Sequence, residues 1–314
     1  MRDLPDQLRA VMLGHAVGDA LGVPVEFCSR EALETDPVTH MRGYGAHPVP
    51  AGAWSDDTSM SLAALEALCD EKWSFETVMQ GLVDWLENAK YTPTGRVFDV
   101  GRTCMAAICR YEDGCRPATA CGLEKERSNG NGSLMRIHPF VLYAHTTRMS
   151  FGAWWEMIEN ASALTHAHER ARVGCLIYAF VLFWLLEDPK KESVARALRR
   201  AECHLGNYSE RAAYGRIFAE NFANIPRNGI KSSGYVVDTL EAALWCLLNT
   251  DSYRDCVLTA VNLGEDTDTV AAVAGGLAGA LYGYGAIPKE WLGTLLCRAD
   301  IERLCHRAAT AWGR

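Results

Sequence analysis

Along most of the chain, apolar residues recur every three to four positions, and short loops of glycine and small polar residues separate these stretches. The spacing is typical of amphipathic helices, whereas the alternation expected of strands is scarce. Val78, Leu82 and Trp85, for example, fall on one helical face. The pattern predicts helices over 5–21, 57–70, 74–89, 98–112, 134–145, 151–164, 168–187, 190–204, 209–223, 236–249, 252–262, 267–283 and 288–312, the last one broken.

No long linker, low-complexity stretch or fixed-period repeat divides these segments, so we expect one all-α domain over 1–314. A composition that is 49% hydrophobic and 22% charged provides enough apolar material for a large core. The most apolar run, 173–186, is shorter than the roughly 20 residues that cross a bilayer, and it predicts a buried helix.

Net charge and cysteine spacing disfavour several classes of protein. A formal net charge of −8 argues against nucleic acid as the main partner, because phosphate binding needs a basic surface. No basic amphipathic stretch suggests a membrane partner, and the N-terminus lacks a secretory signal, so we expect a cytoplasmic monomer. The twelve cysteines contain no C-x-x-C pair, which disfavours a disulfide or zinc framework.

Two acidic clusters precede apolar helices at opposite ends of the chain. WSDDTS contains Asp56 and Asp57, and GEDTDT contains Asp266 and Asp268. Helix capping would explain either cluster alone, since acids are favoured in a first helical turn. Together they offer four carboxylates with adjacent hydroxyls, which is the hard oxygen donor set that Mg²⁺ or Mn²⁺ prefers. The sequence therefore predicts a divalent-metal site, provided that the two ends of the chain meet.

All-α isoprenoid synthases also pair acidic clusters with Mg²⁺. Their first cluster generally has the form D-D-x-x-D, whereas Asp57 here is followed by Thr58, Ser59 and Met60. The pattern of this chain therefore fits that class poorly.

Six segments, in order, resemble the ADP-ribosylglycohydrolase family over about residues 9–285. They are GHAVGDALGVPVEF, WSDDTSM, GNGSLMRIHPF, LTHAHERA, SGYVVDTLEAALWC and GEDTDTVAAVAGGLAGALYG. The resemblance implies an all-helical domain with a binuclear Mg²⁺ or Mn²⁺ centre in a cleft. It also implies hydrolysis of the bond between ADP-ribose and a protein acceptor, most often arginine, so that the partners are an ADP-ribosylated protein and the product ADP-ribose.

By motif match, the resemblance assigns site residues. The metal ligands would be Ser55, Asp56, Asp57, Asp266, Asp268 and Thr269. The candidate catalytic acids are Asp99, Glu26 and Asp266. The candidate substrate-binding residues are Asn129, Gly130, Asn131, Gly132, Ser133, His166 and Tyr235. Successive glycines also suit a diphosphate physically, because they let backbone N–H groups approach an anion.

Two positions depart from the family pattern. Ser55 replaces the usual threonine but keeps a hydroxyl, and Arg102 stands where asparagine is common, near the acceptor side. The acceptor therefore stays open between arginine, serine and a small-molecule ADP-ribosyl compound. A non-catalytic ADP-ribose-binding relative is a further alternative, which retention of all four cluster acids disfavours.

Overall fold

The computed structural model describes residues 3–313, and no β-strand occurs among them. Two helices of this all-α fold, α1 and α13, pack against each other along most of their length. The helix bounds are α1 Leu4–Gly22, α2 Arg30–Thr35, α3 Asp56–Leu68, α4 Phe75–Asn88, α5 Arg102–Glu112, α6 His138–Thr146, α7 Phe151–Ala163, α8 Glu169–Glu187, α9 Lys191–His204, α10 Gly215–Phe218, α11 Val236–Asn249, α12 Tyr253–Val261, α13 Thr267–Tyr282, α14 Lys289–Thr294 and α15 Arg298–Trp312.

The prediction of a single all-α domain is confirmed, although several local predictions differ from the structure. The helix predicted over 98–112 begins only at Arg102, because Asp99 has φ of 51°, which a helix does not allow. The segment 209–223 forms 3₁₀ turns and the four-residue α10. The short helix α2 was not predicted. The predicted bounds 1–314 stay a prediction, since residues 1, 2 and 314 lie outside the described range.

Glycines allow α1 and α13 to approach closely in antiparallel order. A Cβ on Gly18 would lie 2.1 Å from the carbonyl oxygen of Ala271, and one on Gly22 would lie 2.3 Å from the Cα of Asp268. Only glycine fits such backbone contacts. The antiparallel packing brings the end of α1 beside the start of α13, so the loops that carry Glu26 and Asp266 are neighbours.

A continuous apolar core surrounds this helix pair and includes most of α8, whose segment 173–182 is fully or almost fully buried. Nowhere in residues 3–313 is a helix both long enough and apolar enough to cross a bilayer. All twelve cysteines are free thiols, and seven of them are buried. Hydrophobic burial is therefore the main stabilising interaction of the fold.

Candidate metal centre

The two acidic clusters meet at the N-termini of α3 and α13. Carboxylate oxygens of Asp57 and Asp268 lie within 4.8 Å of each other, and one of Asp19 joins the same group. Thr269 Oγ1 donates a hydrogen bond to Asp57 Oδ2 at 3.3 Å. The two clusters thus come together in the fold. The prediction of a metal site required this contact, but the sequence alone did not show it.

Asp19, near the end of α1, is the residue that sequence reasoning missed. Its carboxylate accepts hydrogen bonds from Ser55 N at 2.9 Å, from Thr58 N at 3.0 Å and from Thr58 Oγ1 at 2.6 Å. It therefore fixes the first turn of α3, where Asp56 and Asp57 lie. The available signal was a single acid inside the small-residue segment GHAVGDALG.

Several carboxylate oxygens of the cluster have no protein partner. Asp57 Oδ1, Asp266 Oδ1 and Asp268 Oδ2 are buried and accept no hydrogen bond from the described residues. Burial and neighbouring carboxylates raise the pKa values of Asp57 and Asp268 well above the ordinary range. A bound cation would coordinate these unpartnered oxygens and offset the repulsion between the carboxylates. These residues therefore fit a divalent metal.

The other predicted ligands are held by hydrogen bonds within the two clusters or by burial. Ser55 caps α3 by accepting from Asp57 N at 3.3 Å, and its Oγ donates to Asp57 Oδ2 at 3.0 Å. Asp268 Oδ1 accepts from Thr269 N at 2.8 Å. Asp56 is buried, and burial followed by repulsion from Asp99 raises its pKa strongly. All six predicted ligands therefore lie in one small region.

Glu26 and Asp99 lie on the outer side of this cluster. A carboxylate oxygen of Glu26 lies within 4.8 Å of oxygens of both Asp266 and Asp268. Burial, and after it the charges of Asp99 and Asp266, raise the pKa of Glu26 to about 9. Burial also raises the pKa of Asp99. Sequence reasoning did not include His47, which reaches Glu26 from a separate loop.

The glycine loop lies directly against the second acidic cluster. Asn131 Nδ2 donates to Asp266 Oδ2 and to Thr239 Oγ1, each at 2.9 Å. A Cβ on Gly132 would lie 2.7 Å from Cys104 Sγ and 3.0 Å from the His166 ring. Glycine at this position therefore lets the loop pack closely against these two side chains.

The remaining substrate-binding candidates separate into two groups. Gly130, Asn131, Gly132 and His166 line the cleft. Ser133, Asn129 and Tyr235 do not line it: Ser133 is fully buried and accepts from Ser162 Oγ at 2.9 Å, while Asn129 Nδ2 donates to the Glu126 carbonyl. The structure thus places four of the seven at the cleft surface.

The cleft has a volume of about 380 Å³ and opens to solvent above the acids. Its floor carries Asp56, Asp266 and Thr269, and its rim includes the exposed side chains of Arg102 and Arg127. Acids at the bottom and basic groups at the edge suit a ligand that carries hydroxyls at one end and phosphates further out.

Comparisons with known proteins agree with this geometry. The family model described as ADP-ribosylglycohydrolase matches residues 1–314. ADP-ribosylarginine hydrolase Tri1 of Pseudomonas putida (strain GB-1) is 34% identical over 96% of this chain and 77% of its own length. ADP-ribosyl-[dinitrogen reductase] glycohydrolase of Rhodospirillum rubrum is 30% identical, covering 95% of this chain and 92% of its own.

A solved structure titled ADP-ribosylglycohydrolase-related protein complex superposes with a TM-score of 0.83. It is 30% identical in sequence, and the match covers 100% of both chains. The family model, the relatives and the fold agree over nearly the whole length. The chain belongs to the ADP-ribosylglycohydrolase family.

Proposed function

We propose that the protein hydrolyses the N-glycosidic bond between ADP-ribose and an arginine side chain, with two divalent cations, Mg²⁺ or Mn²⁺, as cofactors. The observation that carries the proposal is that Asp57 of the first acidic cluster meets Asp268 and Thr269 of the second, beneath a cleft lined by Asp56, Asp266 and the glycine loop. The names of the two relatives, both for removal of ADP-ribose, support the same reaction.

Charge orients the substrate in the cleft. The diphosphate is anionic, so it lies away from the acids, toward the rim of the cleft where the guanidinium group of Arg127 is exposed. The distal ribose then reaches the acid cluster. The arginine side chain lies on the side of Glu26 and Asp99, whose carboxyl oxygens can accept hydrogen bonds from its guanidinium group.

Hydrolysis develops oxocarbenium-like positive charge on the ribose, as in other glycosidic cleavages. The buried carboxylate of Asp56, at the cleft floor, faces that charge and stabilises it. Glu26 and Asp99 are the two acids placed to move protons, one from the attacking water and one to the departing guanidine. When bound, the divalent cations supply orientation of the ribose hydroxyls and a lower pKa for water.

The test is release of free ADP-ribose from two matched peptides, one modified on arginine and one on serine. Each is incubated with Mg²⁺, with Mn²⁺ and with a chelator. We expect metal-dependent release from the arginine peptide only. Release from the serine peptide instead would keep the metal centre and change the acceptor, and binding of ADP-ribose without any release would indicate a non-catalytic relative.

A further inference from the structure

A loop outside the predicted site, residues 43–49, delivers His47 to Glu26. The loop is held against Pro24, whose carbonyl accepts from Ala46 N at 2.8 Å. A Cβ on Gly45 would lie 1.7 Å from the same carbonyl oxygen, so the loop cannot approach as closely with any other residue there. Because Pro24 is two residues before Glu26, the loop and the carboxylate are positioned by the same turn.

His47 makes a short contact with Glu26 in a place that is largely shielded from water. Its Nε2 lies 2.5 Å from Glu26 Oε2, and the side chains are 15% and 5% exposed. The imidazole also packs against the ring of Phe98, with centroids 5.1 Å apart. A hydrogen bond between such groups is stronger in this environment than at the surface.

Glu26 belongs to two groups of potential ligands at once. One group joins it with His47 and Asp99, and the other joins it with Asp266 and Asp268; within each group the ligand atoms lie within 4.8 Å of one another. Its one hydrogen bond within residues 3–313 is the contact with His47.

We propose that His47 is a positioning residue for the reaction: it holds the Glu26 carboxylate between the acid cluster and Asp99, on the acceptor side of the cleft. The inference rests on the proposed function and deepens it. His47 acts through Glu26, and its contribution is to keep the Glu26 carboxyl group in its productive position, from which even a displacement of about 1 Å is costly.

The experiment compares H47F, which keeps the ring packing on Phe98, with H47Q, whose amide can still donate to Glu26. H40F is the matched control, because His40 is an exposed histidine of the preceding segment that hydrogen-bonds its neighbour Thr39. For release from the arginine-linked peptide we expect H47F to lower kcat by about 10- to 100-fold with KM little changed. H47Q should stay within about threefold of wild type, and H40F should be unchanged.

Three results would overturn the inference while leaving the proposed function in place: an H47F enzyme with normal kcat, equal losses in H47F and H47Q, or a loss explained by a lower unfolding temperature. An inactive wild-type protein would instead refute the proposed function. In that case crystal structures of wild type and H47F still decide the inference, since we expect the Glu26 carboxylate to leave its place beside Asp266 in the variant. An unmoved carboxylate would contradict it.

Discussion

Thr269 Oγ1 donates a hydrogen bond to Asp57 Oδ2 across 3.3 Å, although 212 positions separate the two residues in the sequence. The contact joins the first turn of α3 to the first turn of α13. Both helix N-termini place partial positive charge near the acids, which offsets part of their repulsion. Bound cations would relieve the remaining repulsion between the carboxylates.

Replacing Asp268 by asparagine should weaken metal binding and activity together. The loss should exceed the roughly 10- to 100-fold typical of an outer-shell partner, because Asp268 is a candidate direct ligand. Without metal, the variant should unfold at a temperature no lower than wild type, since one charge leaves a repelling group. Calorimetric titration with Mn²⁺ and thermal unfolding measure both effects.

The exposed Asp113, which follows α5, provides the control for that substitution. Asp113→Asn should leave Mn²⁺ affinity, turnover and stability as in wild type. Normal turnover and metal content in Asp268→Asn would show that the assigned metal centre is wrong.

Asp19→Ala should destabilise the protein through the start of α3. The substitution removes three buried hydrogen bonds to Ser55 and Thr58, and we expect the free energy of unfolding to fall by roughly 2 to 4 kcal/mol. Ser74→Ala, at the N-cap of α4, is the comparison and should cost about 1 kcal/mol without loss of activity. Urea unfolding that gave the same cost for both would refute the role of Asp19.

Gly18→Ala should separate α1 from α13. The added methyl group would lie 2.1 Å from the carbonyl oxygen of Ala271, and we expect a loss of roughly 2 to 3 kcal/mol in unfolding free energy. Gly152→Ala, in α7, meets no atom within 4 Å and should instead stabilise by about 0.5 to 1 kcal/mol. A tolerated Gly18→Ala would mean that the two helices are not packed as described.

His138 should make stability depend on pH. Burial, and after it the nearby His15, lowers the pKa of His138 well below its ordinary value, and the two ring centroids are 4.3 Å apart. The native state therefore favours neutral His138. The stability from this group is present above the unfolded-state pKa of about 6.5 and is lost as pH falls below it.

His138→Gln isolates that contribution, because glutamine does not titrate. Below pH 6.5, the unfolding free energy of wild type should fall relative to that of the variant by up to about 1.4 kcal/mol per pH unit. Urea titrations at several pH values from 5 to 8 measure it. A difference that stays constant over this range would contradict the assignment of a neutral buried histidine.

Local patterns in the sequence explain which parts of the fold were predictable. Long amphipathic helices such as α4 and α11 carry their period in their own residues, so their ranges were predicted closely. The segment 209–223 has the same kind of pattern but forms 3₁₀ turns and the short α10. Its conformation is decided by neighbouring elements, which periodicity does not describe.

The residues of the candidate site likewise differ in how far the sequence predicts them. Asp57 and Asp268 stand in conspicuous local clusters, whereas Asp19 and His47 gain meaning only from partners elsewhere in the chain. The distance from His47 to Glu26 is a property of how one loop packs on Pro24. No local pattern contains that information, which is why both positioning residues emerged from the structure.

The proposed function requires that the joined acidic clusters bind two divalent cations on which removal of ADP-ribose from arginine depends. The most direct measurement is release of ADP-ribose from the arginine-linked peptide by chelator-stripped protein, titrated with Mn²⁺. We predict no release at the start and a rise that levels off at two equivalents of tightly bound metal. Full release by the stripped protein, with no response to Mn²⁺, would show that the reaction does not depend on a metal centre.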